Sequence, residues 1–370
     1  MDRPAENLFE SGTMKTLTTS SSNVNVRTIE PLPTPSDVLA ELPASDEAAA
    51  SVRRSREEIR AVLNGLDDRL LVIVGPCSIH DPAAGLEYAR MLADAAQLHR
   101  EDLLVVMRAY FEKPRTTVGW KGLINDPHLD GSHDIAAGLR AARNFLHDVA
   151  ALGVPLGTEF LEPISPQYIA DLVSWGAIGA RTTESQIHRQ LSSGLSMPVG
   201  FKNGTDGGIG VALDACASAS APQAFLGVDD DGRAALVSTT GNPDTHLILR
   251  GGADGPNYGA EDVANASARL AAAGLNGRLI VDASHANSGK DHRRQAAVAR
   301  ELADAVEGSD AIAGVMLESF LVEGAQKLDV SARGDLVYGQ SVTDACMGWG
   351  TTASVLGDLA RGSRRRRSVG

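Results

Sequence analysis

Long apolar runs are missing from this chain of 370 residues. No stretch approaches the roughly 20 consecutive apolar residues of a membrane-spanning helix, and LLVIV at Leu70–Val74 has the length of a buried strand. Cysteine is scarce. Cys77, Cys216 and Cys346 form no CxxC pair, which excludes a disulfide framework and fits a reducing compartment. The opening MDRPAENLFE carries acids and lacks an apolar h-region, so no secretory signal is read and a cytoplasmic location is expected. Aromatics make up only 4%, so a core drawn from the 43% hydrophobic residues must be mainly Ala, Val, Leu and Ile. Positive charge is in deficit, with 34 Lys+Arg against 47 Asp+Glu and a net charge of −13. That balance excludes a broad nucleic-acid surface. At face value it also argues against an anionic substrate.

What is present is a repeated unit: a short apolar run, a polar residue or glycine at its end, then a helical stretch. The runs are LLVIVG, LLVVMR, PLGTEF, AIGAR, VGFK, LILRGG, LIVDASH and GVMLES, between Leu70 and Ser319. Eight such units predict an α/β fold, a (β/α)₈ TIM barrel, with a doubly wound open sheet as the runner-up. GTDGGIG at Gly204–Gly210 matches neither GxGxxG nor GxxxxGK[ST], which weakens the open-sheet alternative. AFLGV and ALVST, flanking a DDDG turn, predict an inserted β-hairpin. In HDPAAGLEYARMLADAAQ, Asp81 is expected to cap a helix with Pro82 in its first turn and Leu86, Ala89, Leu92, Ala93 and Ala96 on one face. Four regions follow. Residues 1–28 read as a polar tail with a Ser/Thr tract at Thr16–Asn25, and Met14 is a second candidate start. Residues 29–66 form an N-terminal extension, with a helix over Asp46–Gly65. The barrel occupies 67–360, and 361–370 is an arginine-rich tail expected to be solvated, with a phosphate or RNA contact as the alternative.

In a barrel of this kind the C-terminal strand ends face the active site. Those ends carry Cys77, Arg108, Glu159, Arg181, Lys202, Arg250, His285 and Glu318. A structural ion-pair network would account for some of them but would leave cations in excess, and fixed guanidinium forks suit carboxylate and phosphate oxygens. Cys77, His285 and Glu318 offer S, N and O donors from different strands, and Asp344 in VTDAC would make a fourth, a set suited to a divalent transition metal. Against this, a lone cysteine is commonly a small buried hydrophobe. RAYFEKPRTTVGWKG adds Lys113, Arg115 and Lys121 with Thr116 and Thr117, a loop suited to a phosphorylated ligand or simply a solvated one.

Together GPCSIH, KPRTT, GARTTES, GFKNGTDGG, LILRGG, DASHANSGKDH, GVMLES and VTDAC resemble the type I 3-deoxy-D-arabino-heptulosonate 7-phosphate (DAHP) synthases, over roughly Arg27 to Gly357. The resemblance implies a (β/α)₈ barrel that condenses phosphoenolpyruvate with erythrose 4-phosphate. It carries the metal ligands onto Cys77, His285, Glu318 and Asp344, for Mn, Fe, Co or Zn. It carries the phosphoenolpyruvate contacts onto Arg108, Lys113, Glu159, Ala180, Arg181, Lys202 and Arg250, and the erythrose 4-phosphate contacts onto Arg115, Thr116 and Asp344. Lys113, Glu159 and His285 are the expected catalytic groups. Inhibition by an aromatic amino acid is implied, with Pro166, Gln167, Ser196 and Gly227 matching the effector pocket. Glycine at 227 matches the tyrosine-sensitive pattern, where the phenylalanine-sensitive one has serine. A homo-oligomer, dimer or tetramer, is implied, with Val26–Leu42 as a subunit contact. The alternatives are an octulosonate 8-phosphate synthase, which KPRTT and the hairpin argue against, and a non-catalytic barrel that binds aromatic amino acids.

Overall fold

The computed structural model describes residues 21–369. Met14 and the start of the Ser/Thr tract lie outside them. Residues 21–33 form a unit of their own, exposed and without helix or strand, with one turn in which the Val26 amide donates to the Asn23 carbonyl.

From Thr34 onward the chain follows the predicted alternation. Eight parallel strands close into a barrel: β1 (Leu70–Gly75), β2 (Leu103–Arg108), β3 (Leu156–Glu159), β4 (Trp175–Ile178), β5 (Val199–Lys202), β8 (Thr245–Leu249), β9 (Leu279–Asp282) and β10 (Ile312–Glu318). The remaining pair, β6 (Ala224–Val228) and β7 (Ala234–Ser238), is the predicted hairpin, antiparallel and inserted before β8. Past β10, β11 (Val322–Ala325) pairs with the two-residue β12 (Gln340–Ser341). The helices are α1 (Pro35–Glu41), α2 (Asp46–Leu63), α3 (Pro82–Leu98), α4 (Ile135–Ala151), α5 (Pro166–Ile169), α6 (Gln186–Gly194), α7 (Gly210–Ser220), α8 (Ala260–Ala272), α9 (His292–Glu307) and α10 (Trp349–Val369). Asp81 caps α3 as expected, accepting from the Ala83 and Ala84 amides. The buried face of α3 is turned toward Ala84, Tyr88, Ala89 and Leu92, while Leu86, Ala93 and Ala96 are only partly covered. Tyr88 draws the helix round because its ring packs on Phe320 and Trp349.

Two regions depart from expectation at the N-terminal end of the barrel. Helix α2 is part of the barrel: Ile59, Val62 and Leu63 share one apolar cluster with Leu71, Ile73, Leu104 and Val106 of the strands. Polar bonds fix it across that end, from Arg60 to Asp244 at 2.7 Å and from Arg56 to the Val173 and Ala170 carbonyls. The arginine tail is also not a solvated tail, because α10 continues through it to Val369. Arg364 and Arg367 both pair with buried Asp102 just before β2. Arg366 donates to the Ile312 and Asp68 carbonyls, and Arg365 pairs with Asp304 and Glu307 of α9. The tail carries no acid of its own, but the fold brings acids to it from distant sequence. Gly362 permits the close crossing of α10 on α9, since a β-carbon there would sit 2.1 Å from the Ala303 carbonyl oxygen.

Candidate active site

Strand register assembles the polar residues at the opposite end. Gly75 pairs with Glu318, which brings Cys77, two residues on, beside that carboxylate. Met316 pairs with Asp282, Lys202 with Ile248, and Arg108 with Gly157, so each strand hands its terminal side chain to the next. These side chains line a cavity of about 370 Å³ that holds Lys113, Arg115, Thr116, Glu159, Ala180, Arg181, Lys202, Arg250, His285, Glu318 and Asp344. Cys77 lies directly beneath, fully buried.

The inner layer is ion-paired. Arg108 is buried, with its guanidinium 3.0 Å from Glu318 Oε1 and its plane 3.6 Å from the centre of the Tyr110 ring. A cation over an aromatic face is held in orientation as well as position. Lys113 Nζ stands 2.7 Å from Cys77 Sγ and 3.1 Å from Asp344 Oδ2. Burial opposes the Lys113 ammonium, but Cys77, Glu318 and Asp344 outweigh it and favour the charged form. Lys113 in turn holds the Asp344 carboxyl well below the usual range. Burial pushes the Cys77 thiol up to about 11, and the neighbouring Glu318 adds to that. Burial also opposes ionisation of Glu318, yet Arg108, His285 and Lys113 together hold its carboxyl below the ordinary value. On the far side, Lys202 Nζ is 3.1 Å from Asp282 Oδ2. Glu159 is buried with its carboxylate pressed against Gly179, where a β-carbon would lie 2.3 Å from Oε1. Any larger residue at 179 would displace that carboxylate.

The outer layer is different. Among the described residues Arg115, Arg181 and Arg250 form no ion pair. Arg181 donates to the Pro114 carbonyl, and Arg250 Nε is buried without a partner. Three fixed cations at the rim of the cavity would suit an anion.

Donors for a metal ion converge at the cavity floor. Ligand atoms of Cys77, Glu318 and Asp344 lie within 4.8 Å of one another. His285 stands at their edge, with Nε2 4.0 Å from Glu318 Oε1. The Cys77 thiol donates to Asp344 Oδ2 at 3.5 Å, and the Lys113 ammonium lies against both atoms. A thiol, an imidazole and two carboxylates fit a divalent transition metal.

Of the regulatory candidates, Pro166 is buried at the start of α5 and Gln167 Nε2 donates to the Val228 carbonyl, joining α5 to the hairpin one residue from Gly227. Ser196 is exposed before β5. Sequence reasoning missed Asp282, Glu112 and Tyr110. Glu112 is buried beside Lys113 and accepts from the Ser165 hydroxyl and the Glu162 and Leu161 amides, which ties the loop after β2 to the segment before α5. The acid of LIVDASH was readable as one more polar residue at a strand end; Glu112 carried no such signal.

Fold and site define a parallel (β/α)₈ barrel whose mouth joins a rim of arginines without ion pairs to a cluster of thiol, imidazole and carboxylate groups. The chain belongs to the DAHP synthetase I family, whose model matches residues 42–357. The phospho-2-dehydro-3-deoxyheptonate aldolase of Corynebacterium glutamicum is 55% identical over 95% of this chain and 96% of its own. The relative from Escherichia coli K12 named Phe-sensitive is 52% identical over 94% of this chain and 99% of its own. The solved phospho-2-dehydro-3-deoxyheptonate aldolase of Francisella tularensis superposes with a TM-score of 0.90 at 48% identity, covering 93% of this chain and all of the other.

Proposed function

We propose that this chain condenses phosphoenolpyruvate with D-erythrose 4-phosphate to give DAHP and phosphate, the entry reaction of aromatic amino-acid biosynthesis. The observation that carries the reading is the layered cavity: unpaired Arg115, Arg181 and Arg250 above the paired Arg108, Lys113 and Lys202, beside the Cys77–Glu318–Asp344 donor set. Two phosphorylated substrates repel each other, and fixed cations that need no reorganisation offset that repulsion. Arg181, Lys202 and Arg250 hold the phosphoenolpyruvate phosphate against the backbone at Ala180, while Arg108 and Lys113 orient its carboxylate. Arg115 and Thr116 take the phosphate of erythrose 4-phosphate, with Asp344 near its aldehyde end. The methylene carbon of phosphoenolpyruvate forms the new bond to the aldehyde carbon, and the aldehyde oxygen takes a proton from the Lys113 ammonium. Water positioned by Glu159 adds to the neighbouring carbon and returns one proton to Lys113; the resulting hemiketal collapses to the ketone as phosphate leaves with the other proton, so one water is consumed for each phosphate released.

Cys77, His285, Glu318 and Asp344 would hold a divalent ion, Mn, Fe, Co or Zn. Such an ion, when bound, supplies Lewis-acid polarisation of the aldehyde oxygen. The chain's own part is to orient these donors, and His285 counts among the catalytic groups in this sense.

An aromatic amino acid, tyrosine favoured by Gly227, is the proposed effector at Pro166, Gln167, Ser196 and Gly227. A serine at 227 would bring its β-carbon to 2.6 Å of Val237 Cγ2, so the Val237 side chain would have to shift to admit it. A homo-oligomer, dimer or tetramer, is proposed through Val26–Leu42, where Val26, Ile29 and Leu32 are exposed. No described helix is long and apolar enough to cross a membrane, and a cytoplasmic site of action is proposed. The decisive assay follows phosphoenolpyruvate consumption with erythrose 4-phosphate and, separately, arabinose 5-phosphate, each with and without chelator. Turnover with erythrose 4-phosphate alone that chelation abolishes supports the reading. Preference for the pentose, or no turnover with either sugar, rejects it in favour of the octulosonate synthase or the non-catalytic barrel.

A further inference from the structure

Asp282 ends β9 with no exposure to solvent, and it stands between the two halves of the site. One carboxylate oxygen, Oδ2, lies 3.1 Å from Lys202 Nζ and 2.8 Å from His285 Nδ1. Neither contact has hydrogen-bond geometry, so the carboxylate acts on both groups through its own negative charge. The other oxygen, Oδ1, accepts from the Ser284 amide and from the Ser284 hydroxyl. That hydroxyl is also 2.7 Å from His285 Nδ1. Its one proton is committed to Asp282, so toward the imidazole it can only accept. Both neighbours of Nδ1 are therefore acceptors, and Nδ1 must carry a proton. With that proton on Nδ1, Nε2 is the nitrogen that faces Glu318 and the cavity floor, as a metal ligand requires. The backbone at His285 takes φ +56°, a left-handed conformation that histidine enters more readily than most residues, and its carbonyl receives the Lys290 amide.

We propose that Asp282 is a positioning residue that serves both substrate and metal: it fixes the His285 tautomer, through Ser284 and by its own charge, and holds the Lys202 ammonium toward the anion. It touches neither substrate nor metal. The proposal rests on reading Lys202 as a phosphate contact and His285 as a metal ligand. Because one buried carboxylate holds both, metal affinity and phosphoenolpyruvate affinity are coupled through it.

The test uses Asp282→Asn, which keeps the size and an acceptor but removes the charge. Mn²⁺ is titrated calorimetrically into the metal-free full chain, and KM for phosphoenolpyruvate is measured at saturating Mn²⁺. The Mn²⁺ dissociation constant should rise about 10- to 100-fold. KM should rise by roughly tenfold with a smaller change in kcat. In a His285→Ala background the substitution should leave the residual Mn²⁺ affinity unchanged, and in a Lys202→Ala background it should leave KM unchanged. Wild-type affinity and KM in Asp282→Asn, or equal losses in every background, overturn the proposal. If His285→Ala binds Mn²⁺ weakly while Asp282→Asn binds it normally, the proposal fails and the ligand assignment stands; if His285→Ala binds normally, both fall. Should the variant not fold, ¹⁵N shifts of the His285 ring in zinc-loaded wild-type protein decide instead. A proton on Nδ1 supports the proposal, and one on Nε2 overturns it.

Discussion

The two ends of this barrel are both rich in arginine, and they use it in opposite ways. At the N-terminal end Arg60, Arg364 and Arg367 meet carboxylates, and Arg56 and Arg366 meet backbone carbonyls. At the mouth, Arg108, Lys113 and Lys202 are paired with acids, but Arg115, Arg181 and Arg250 are not. A guanidinium bonded to a carboxylate or to carbonyls of another element fastens helices to strands, while one at the cavity rim with no ion pair keeps its charge available to an anion. The net charge of −13 describes the outer surface and says nothing of the field within that cavity.

Substitutions at the two ends should therefore separate activity from stability. The largest effect is expected from Cys77→Ala: condensation falls to background and Mn²⁺ binding is lost, while the urea midpoint moves little, which activity, calorimetry and denaturation on one preparation would check. Arg250→Ala should raise KM for phosphoenolpyruvate by about 10- to 100-fold, the loss of one or two charge-assisted bonds, with the midpoint again unmoved. An unchanged KM would break the contrast by making Arg250 one more fastener. At the other end Ile59→Ala empties part of the plug beneath the barrel and should cost about 2–5 kcal/mol of stability by denaturation, with KM for both substrates retained.

The smallest effect concerns Glu112, between the two behaviours. Burial pushes its carboxyl up to about 7, and Glu162 adds to this, against the hydrogen bonds from Ser165, Glu162 and Leu161. A carboxyl raised above its unfolded value contributes stability that is fully present below about pH 4.5 and lost as pH rises through about 7. Wild-type protein should lose at most about 2 kcal/mol between pH 5.5 and 8, and Glu112→Gln should flatten that slope in paired urea titrations. An equally steep slope in the variant would assign the pH dependence to other groups.

The mouth was far more legible than the opposite end, for a physical reason. Barrel strands are short apolar runs, so the polar residue that ends each one stands out, and Cys77, Arg108, Glu159, Lys202, His285 and Glu318 all line or underlie the cavity. The fasteners were hidden because their partners are remote in sequence: Asp102 lies more than 260 positions from Arg364, so the arginines read as a tail. Helix α2 was seen as a helix, but its apolar face does not announce which surface it covers. Asp282 was overlooked because His285, three residues further on in the same motif, already explained the polarity.

Closure of the barrel has a consequence for how the chain is made. The ring is completed when β1 pairs with β10, from Leu71 beside Gly314 to Gly75 beside Glu318. The partners are separated by roughly 240 residues, so the seam is a late, entropically expensive contact. As the polypeptide leaves the ribosome, β1 is finished first and waits with one row of amides and carbonyls unclaimed, while each newly made strand offers another open edge. Until β10 emerges, the nascent sheet is a sticky ribbon, so the rate of translation and the shelter given to it should govern the yield of soluble enzyme more than the stability of the finished ring.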